Sequence, residues 1–258
     1  MTADPIPLLG RPLVRVDEVG STSDLARLLA AAGLPEGTVV VAARQTRGRG
    51  RFGRTWISPL GGLWCSLLLR PDADAEWGLL SLAVAVAVAE TVDRIAGVRS
   101  VIRWPNDVLI GGGKVAGILA EATSGAAIVG VGINADIDLH GLPDDLRTPA
   151  ASLAAAAGGP VVLSTLLDIL LERCAWWYAA WTRRDPAVSA AWSARDAIRG
   201  TRVSVHGADG VVEGVAAGID TDGALLLRMP GGPTHRIVAG DLDAPSSTRL
   251  STAQQEPR

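Results

Sequence analysis

Between Gln45 and Trp56 the chain reads QTRGRGRFGRTW, with Arg47, Arg49, Arg51 and Arg54 set among Gly48, Gly50 and Gly53. No helix can be sustained here. Glycine loses helical order readily, and the residues that follow, RTWISPLGG, add Pro59, Gly61 and Gly62. To either side the pattern becomes β-branched and apolar, Thr38 to Ala43 before and Leu63 to Leu69 after. The segment is therefore a cationic loop hung between two strands. The whole chain carries a formal charge of -3 and would carry -7 without these four arginines, so the basicity is local. Guanidinium groups this close repel one another unless an anion arrives, and glycine permits positive φ and close backbone approach. These residues predict a flexible loop that orders around a phosphate-bearing ligand, because arginine forks suit phosphate oxygens.

Several phosphate loops are excluded. GRGRFG fits G-x-G-x-x-G as letters, but a dinucleotide fold needs a helix directly afterwards to receive the pyrophosphate. A kinase-type glycine loop would need HRD and DFG triplets elsewhere, and neither occurs. GGGK is not a Walker loop: Val108 stands where the first glycine belongs, and Val115 where Ser or Thr belongs.

The rest of the chain bounds the answer. Its 258 residues suit one large domain, or a main domain with a small appendage. Cys65 and Cys174 lie far apart in apolar stretches, as buried thiols of a cytoplasmic protein would. His140, His206 and His235 are too scattered for a metal centre. The longest apolar run, Leu79 to Ala89, stops well short of the about 20 residues a membrane span needs. The first residues carry no basic n-region, so no signal peptide is expected. Lys114 is the only lysine among 24 basic residues: either it marks a place where arginine does not serve, or it is a chance survivor at an exposed turn.

Organisation follows from periodicity. Val14 to Val16 reads as a strand, and GSTSDLARLLAAAG as a turn entering a helix, with Ser21, Thr22 or Ser23 as N-cap and Gly33 as the stop. Trp77 to Ile95 reads as a buried helix although VAVAVAVA alternates like a strand. Three strands follow, Val101 to Ile110, Lys114 to Ala122 and Ala126 to Asn134, joined by GGG and SG turns. Leu163 to Trp181 carries an apolar stripe at helical spacing that should pack on a sheet face. After Gly200, short strands alternate with GADG, DTDG and PGG, as in a small β-barrel. The expected units are 1–197, 198–243, and a disordered polar tail over 244–258.

Polar groups gather in otherwise apolar strands: Asn106 and Asp107 in RWPNDVLI, Lys114, Gly117 and Glu121 in KVAGILAE, Asn134 in VGVGINA. Singly each is an ordinary turn or strand residue. Together with Ser21-Thr22, Gln45 and the GRGRFGR…Trp56 loop, over roughly residues 14 to 242, they resemble the biotin protein ligase family. The resemblance implies an α+β fold: a mixed β-sheet with helices packed on one face, related to class II synthetases, plus a small C-terminal SH3-like β-barrel.

It implies, too, ATP-dependent activation of biotin as biotinyl-5'-AMP, then transfer to one lysine of a biotin carboxyl carrier domain of an acyl-CoA carboxylase or pyruvate carboxylase. By that analogy Ser21, Thr22, Ser23 and Gln45 hold biotin, with Arg49 and Gly50 closing over it. Arg51 and Arg54 hold the phosphates, Asn106 and Asp107 serve the nucleotide and its Mg²⁺ side, and Asn134 lines the nucleoside pocket. Lys114 and Arg51 are the expected catalytic pair. Joining two anions demands strong neutralisation, and a compact ammonium fits between a carboxylate and an α-phosphoryl oxygen where a planar guanidinium would fill the space differently.

Four positions depart from the family pattern: Ser23 for Asn, Ala43 for an acidic residue, Arg103 for Lys before WPND, and Ala151 for Thr. The catalytic pattern begins near the first residue, so no DNA-binding winged helix and no repressor function are expected. Two rivals remain: a lipoate-protein ligase-like enzyme of the same fold, and an RNA-binding module built on the arginine loop.

Overall fold

The computed structural model describes residues 9–71, 77–143, 146–207 and 210–243. The tail expected from Ala244 onward lies outside them.

The chain starts with a β–α–β unit. Strand β1 (Leu13–Val19) leads into helix α1 (Thr22–Ala31) and back to β2 (Val39–Gln45), which lies parallel to β1. Ser21 occupies the N-cap with extended backbone, and Gly33 adopts φ +87 just beyond the last turn, as its lack of a Cβ allows. Then come β3 (Leu63–Leu69), α2 (Trp77–Ala96), β4 (Val101–Arg103), β5 (Asp107–Ile110), β6 (Gly113–Thr123) and β7 (Ala126–Ile133). The seven strands form one mixed sheet in the order β1-β2-β3-β7-β6-β5-β4, antiparallel except for the β1–β2 pair. The single strand expected over Val101 to Ile110 is two strands. Pro105 has no N–H to continue a ladder, and the chain reverses at Trp104–Pro105–Asn106 so that Arg103 pairs with Asp107.

Alternation along the strands sends side chains to two faces. On one face Val39, Leu67, Leu69 and Val129 meet α2 and α4 (Leu163–Thr182) in the main core. Between sheet and α4, α2 is buried on every side, Leu82 through Ala89 without a break, so its VAVAVAVA run needs no polar stripe. Two short helices, α3 (Leu153–Ala157) and α5 (Ala187–Ser193), also pack on α2. The opposite face is smaller: Val40, Leu68 and Ile128 pack against Ala26 of α1. Most helices thus share one face as expected, while α1 lies on the other, because the β1–α1–β2 crossover carries it there.

Five short strands complete the chain: β8 (Arg202–Gly207), β9 (Gly210–Ile219), β10 (Leu225–Arg228), β11 (Thr234–Ile237) and β12 (Asp241–Leu242), an antiparallel sheet in the order β11-β10-β9-β8-β12. Its Leu225, Leu227 and Leu242 join the main apolar cluster, and Trp104 Nε1 donates to Gly223 O at 3.1 Å across the junction. The two sheets therefore share a core. Among the described residues no helix is long and apolar enough to cross a membrane.

Candidate active site

A cavity of about 370 Å³ opens beside the arginine loop. Ser21, Thr22, Ser23, Gln45, Arg49, Gly50, Arg51, Arg54, Asn106, Asp107, Lys114 and Asn134, singled out from the sequence, all line it. Arg47 does not: its backbone N–H donates to Gly20 O, and it stays exposed outside.

The deep end is uncharged. Ser21, Thr22 and Ser23 are buried at the start of α1. Gln45 Oε1 accepts from Thr22 N at 2.8 Å and from Thr22 Oγ1 at 3.1 Å, and Gln45 Nε2 donates to Ser58 Oγ at 2.8 Å. Ser66, fully buried in β3, bonds Thr22 Oγ1 at 2.8 Å and Ser23 Oγ at 3.0 Å. Reading the motifs missed Ser66, although a lone hydroxyl in LWCSLLL is a signal. Glycines keep this end open: a Cβ at Gly130 would stand 2.9 Å from Ser23 Oγ, and one at Gly132 would run into the Trp56 indole.

Trp56 forms the middle. Its ring lies against Gly117 and Gly132 and meets Trp64 edge-on, with centroids 6.4 Å apart. Its indole Nε1 is buried and has no hydrogen-bond partner among the described residues. Lys114 Nζ sits 4.9 Å from that ring's centroid and 2.6 Å from Asp107 Oδ1. Thus the only lysine of the chain lines the same cavity as the neutral hydroxyls and the arginines. Asn106 Nδ2 donates to Ile118 O at 2.6 Å and Asn134 Nδ2 to Lys114 O at 3.1 Å. Both amide groups therefore brace β6, the strand that carries the lysine.

The outer end is cationic, and its charges are matched within the protein. Arg49 Nη2 lies 2.7 Å from Glu121 Oε2 and 3.1 Å from Asp24 Oδ1, and Arg27 bridges the same two carboxylates. Arg51 Nη1 donates to Gly240 O at 3.0 Å, while Arg54 pairs with Asp241 at 3.1 Å. Arg103 donates to Thr148 Oγ1 at 2.9 Å and to the carbonyls of Leu242 and Asp243, and Arg147 pairs with Asp241. Burial pulls the Arg51 and Arg103 guanidiniums below the usual arginine pKa, and Asp241 and Asp107 oppose that shift.

The loop was expected to stay flexible until an anion orders it. In the structure Gln45 bridges Ser58 and Arg49 bridges Thr55, making an irregular hairpin, with Phe52 at the left-handed tip (φ 55) and 64% exposed. Carboxylates of the protein itself pair two of the loop's arginines, Arg49 with Glu121 and Asp24 and Arg54 with Asp241.

Cys65 borders the cavity, but burial pushes its thiol up to about 12, and Cys174 is raised for the same cause. Burial thus disfavours the thiolate, the nucleophilic form, at both positions. The described residues hold no group of three or more His, Cys, Asp or Glu side chains that could bind a metal.

Comparison with known proteins gives concordant matches. Residues 17–138 match the Biotin/lipoate A/B protein ligase family, and residues 200–243 match the Biotin protein ligase C terminal domain. The chain is 36% identical over 244 residues to the bifunctional ligase/repressor BirA of Bacillus subtilis, covering 92% of this chain and 75% of that one. It is 37% identical over 245 residues to the biotin–[acetyl-CoA-carboxylase] ligase of Mycobacterium tuberculosis, covering 90% and 88%. Among solved structures, the biotin protein ligase from Aquifex aeolicus in complex with biotin and ATP superposes with a TM-score of 0.80 at 29% identity, covering 90% of this chain and 97% of that one.

Proposed function

The chain belongs to the biotin protein ligase family, and from that premise we propose how its cavity divides the work of activating biotin with ATP and passing it to a carrier lysine. It is a ligase that attaches biotin to the carrier proteins of carboxylases. The observation that carries the residue assignment is the place of Lys114 Nζ, paired with Asp107 and set over the Trp56 ring in the same cavity that the buried hydroxyls and the arginines line.

The ureido ring, rich in donors and acceptors, fits the prearranged Ser21, Thr22, Ser23 and Gln45 groups, with Trp56 as an apolar wall beside the bicycle. The biotin carboxylate then reaches Lys114. Arg51 and Arg54 receive the triphosphate. A carboxylate oxygen attacks the α-phosphorus, the bond to the bridging oxygen breaks, and pyrophosphate leaves. Lys114 holds the attacking oxygen and an α-phosphoryl oxygen together and stabilises charge that concentrates as the bond forms. Asn106 and Asn134 act by fixing β6, so their contribution is the aim of the lysine. Arg49, tied to Glu121 and Asp24, closes over the acyl group and keeps water from the mixed anhydride. In the second half-reaction a carrier lysine's neutral ε-amine attacks the acyl carbon, an amide forms, a proton is lost and AMP departs.

Mg²⁺ would fit beside Asp107. One carboxylate together with substrate phosphates is an ordinary magnesium environment, which agrees with the lack of an all-protein ligand cluster among the described residues. When bound there it would neutralise the leaving pyrophosphate. Two buried thiols support a reducing, cytoplasmic setting.

The test is transfer of labelled biotin to an isolated carrier domain. Label should reach one lysine only when ATP is present. AMP formation with lipoate but not biotin would overturn the assignment in favour of a lipoate ligase, and salt-sensitive RNA binding without biotin-dependent pyrophosphate exchange would favour an RNA-binding module.

A further inference from the structure

The cationic end of the cavity already holds an anion, and it comes from the second sheet. Asp241, the first residue of β12, places its two carboxylate oxygens 3.1 Å from Arg54 Nη1 and Nη2 and also pairs with Arg147. Arg51 and Arg103 lie within its field. Its side chain is only 23% exposed, and it lines the same cavity as Lys114 and Asp107. A carboxylate and a phosphate present arginine with the same kind of two-oxygen acceptor. Two such partners cannot hold the same fork of N–H groups together. A triphosphate that is to use Arg54 must therefore displace Asp241, and one that uses Arg51 as well must bind within the field of its charge.

We propose that Asp241 is the exchangeable resident anion of the polyphosphate subsite: it holds the arginines in the empty enzyme, yields them to the nucleotide, and takes them back as pyrophosphate leaves. The inference rests on the ligase reading above and deepens it. The exchange needs no movement of the whole second sheet, because Arg51 and Arg103 also grip backbone carbonyls of Gly240 and Leu242. A rotation of one aspartate side chain frees Arg54. The binding free energy of the polyphosphate is then the new contacts less the ion pair given up, which lowers affinity for substrate and product alike and favours product release. Asp241 is on this account a tuning residue for nucleotide use, contributed by the sheet that carries none of the biotin contacts.

The test uses the full chain and inorganic pyrophosphate as the probe, titrated calorimetrically into the wild type, Asp241→Asn and Asp241→Glu. The amide keeps the shape and removes the charge. Asp241→Asn should tighten pyrophosphate binding by roughly fivefold, the worth of one partly exposed ion pair, and slow its release by a similar factor. Asp241→Glu should return both to wild-type values. Unchanged affinity with a lowered melting temperature would reduce Asp241 to a structural tie and overturn the exchange. Weaker binding would overturn it also, by making Asp241 a ligand-holding group. Failure of all three proteins to bind pyrophosphate would leave nothing for Asp241 to exchange with and count against it equally. Labelled-biotin transfer judges the ligase reading independently, so the two failures are told apart.

Discussion

One end of the cavity is neutral, buried and already hydrogen-bonded; the other is charged, half-open and shared between two sheets. Thr22, Ser23, Gln45, Ser58 and Ser66 hold one another in a continuous network. Arg51, Arg54, Arg103 and Arg147 hold Asp241 and backbone carbonyls that a ligand must compete with. The first arrangement selects by shape and polarity with little reorganisation. The second, on the proposed reading, attracts by charge and rearranges on binding. A reaction that grips one small neutral ring while admitting and expelling polyphosphate needs one of each, and Lys114 stands at the boundary.

That boundary offers the largest test. Lys114→Arg keeps the positive charge but replaces a compact ammonium with a planar fork, in contact with Asp107 and Trp56. Biotin-dependent pyrophosphate exchange should fall by about 10²–10³, the loss of one positioned electrostatic group, with the melting temperature unchanged. Activity near the wild-type level would show that charge alone suffices and erase the distinction between the lysine and the arginines around it. Next comes Arg51→Ala. Losing a charge-assisted contact should speed escape of biotinyl-AMP by roughly ten- to fiftyfold, seen as adenylate in solution before carrier is added. Smaller again is Ser66→Ala, which strips the shared partner from Thr22 and Ser23. Biotin KM should rise about five- to tenfold through partly unsatisfied hydroxyls, while ATP KM stays fixed. A change in ATP KM of the same size would mean the two ends are not separate.

The sequence made the cavity's lining legible because its chemistry is concentrated in short runs: the glycine–arginine loop, WPND, KVAGIL and GVGIN each place several lining groups within a few positions. What it could not convey is pairing across distance. Nothing in RTPA or GDLD marks Arg147 and Asp241 as partners, since they are brought together by the packing of the second sheet on the first, which local periodicity does not encode. The same limit hid the carboxylates that quiet the loop. Glu121 was visible in KVAGILAE, yet only its strand position brings it to Arg49, seventy-two residues earlier. Elements fared likewise: Leu63–Leu69 is plain from its apolar run, while the break at Trp104–Pro105 separates two strands where the apolar pattern alone reads one.

The smallest expected effect sharpens the comparison from outside it. By composition Arg47 belongs to the same loop as Arg49, Arg51 and Arg54, and a reading based on bulk positive charge would give it an equal share of the phosphate. The fold separates it: Arg47 is an exposed residue whose guanidinium lies against Gly20 and outside the cavity lining, with no carboxylate pairing it among the described residues. Arg47→Ala should leave ATP KM, biotin KM and adenylate escape within about twofold of wild type, since an exposed charge is screened by salt over about 10 Å at 0.1 M ionic strength. A loss comparable to that of Arg51→Ala would mean that the loop acts as a diffuse cationic cloud, and the precise partners of its other arginines would cease to matter.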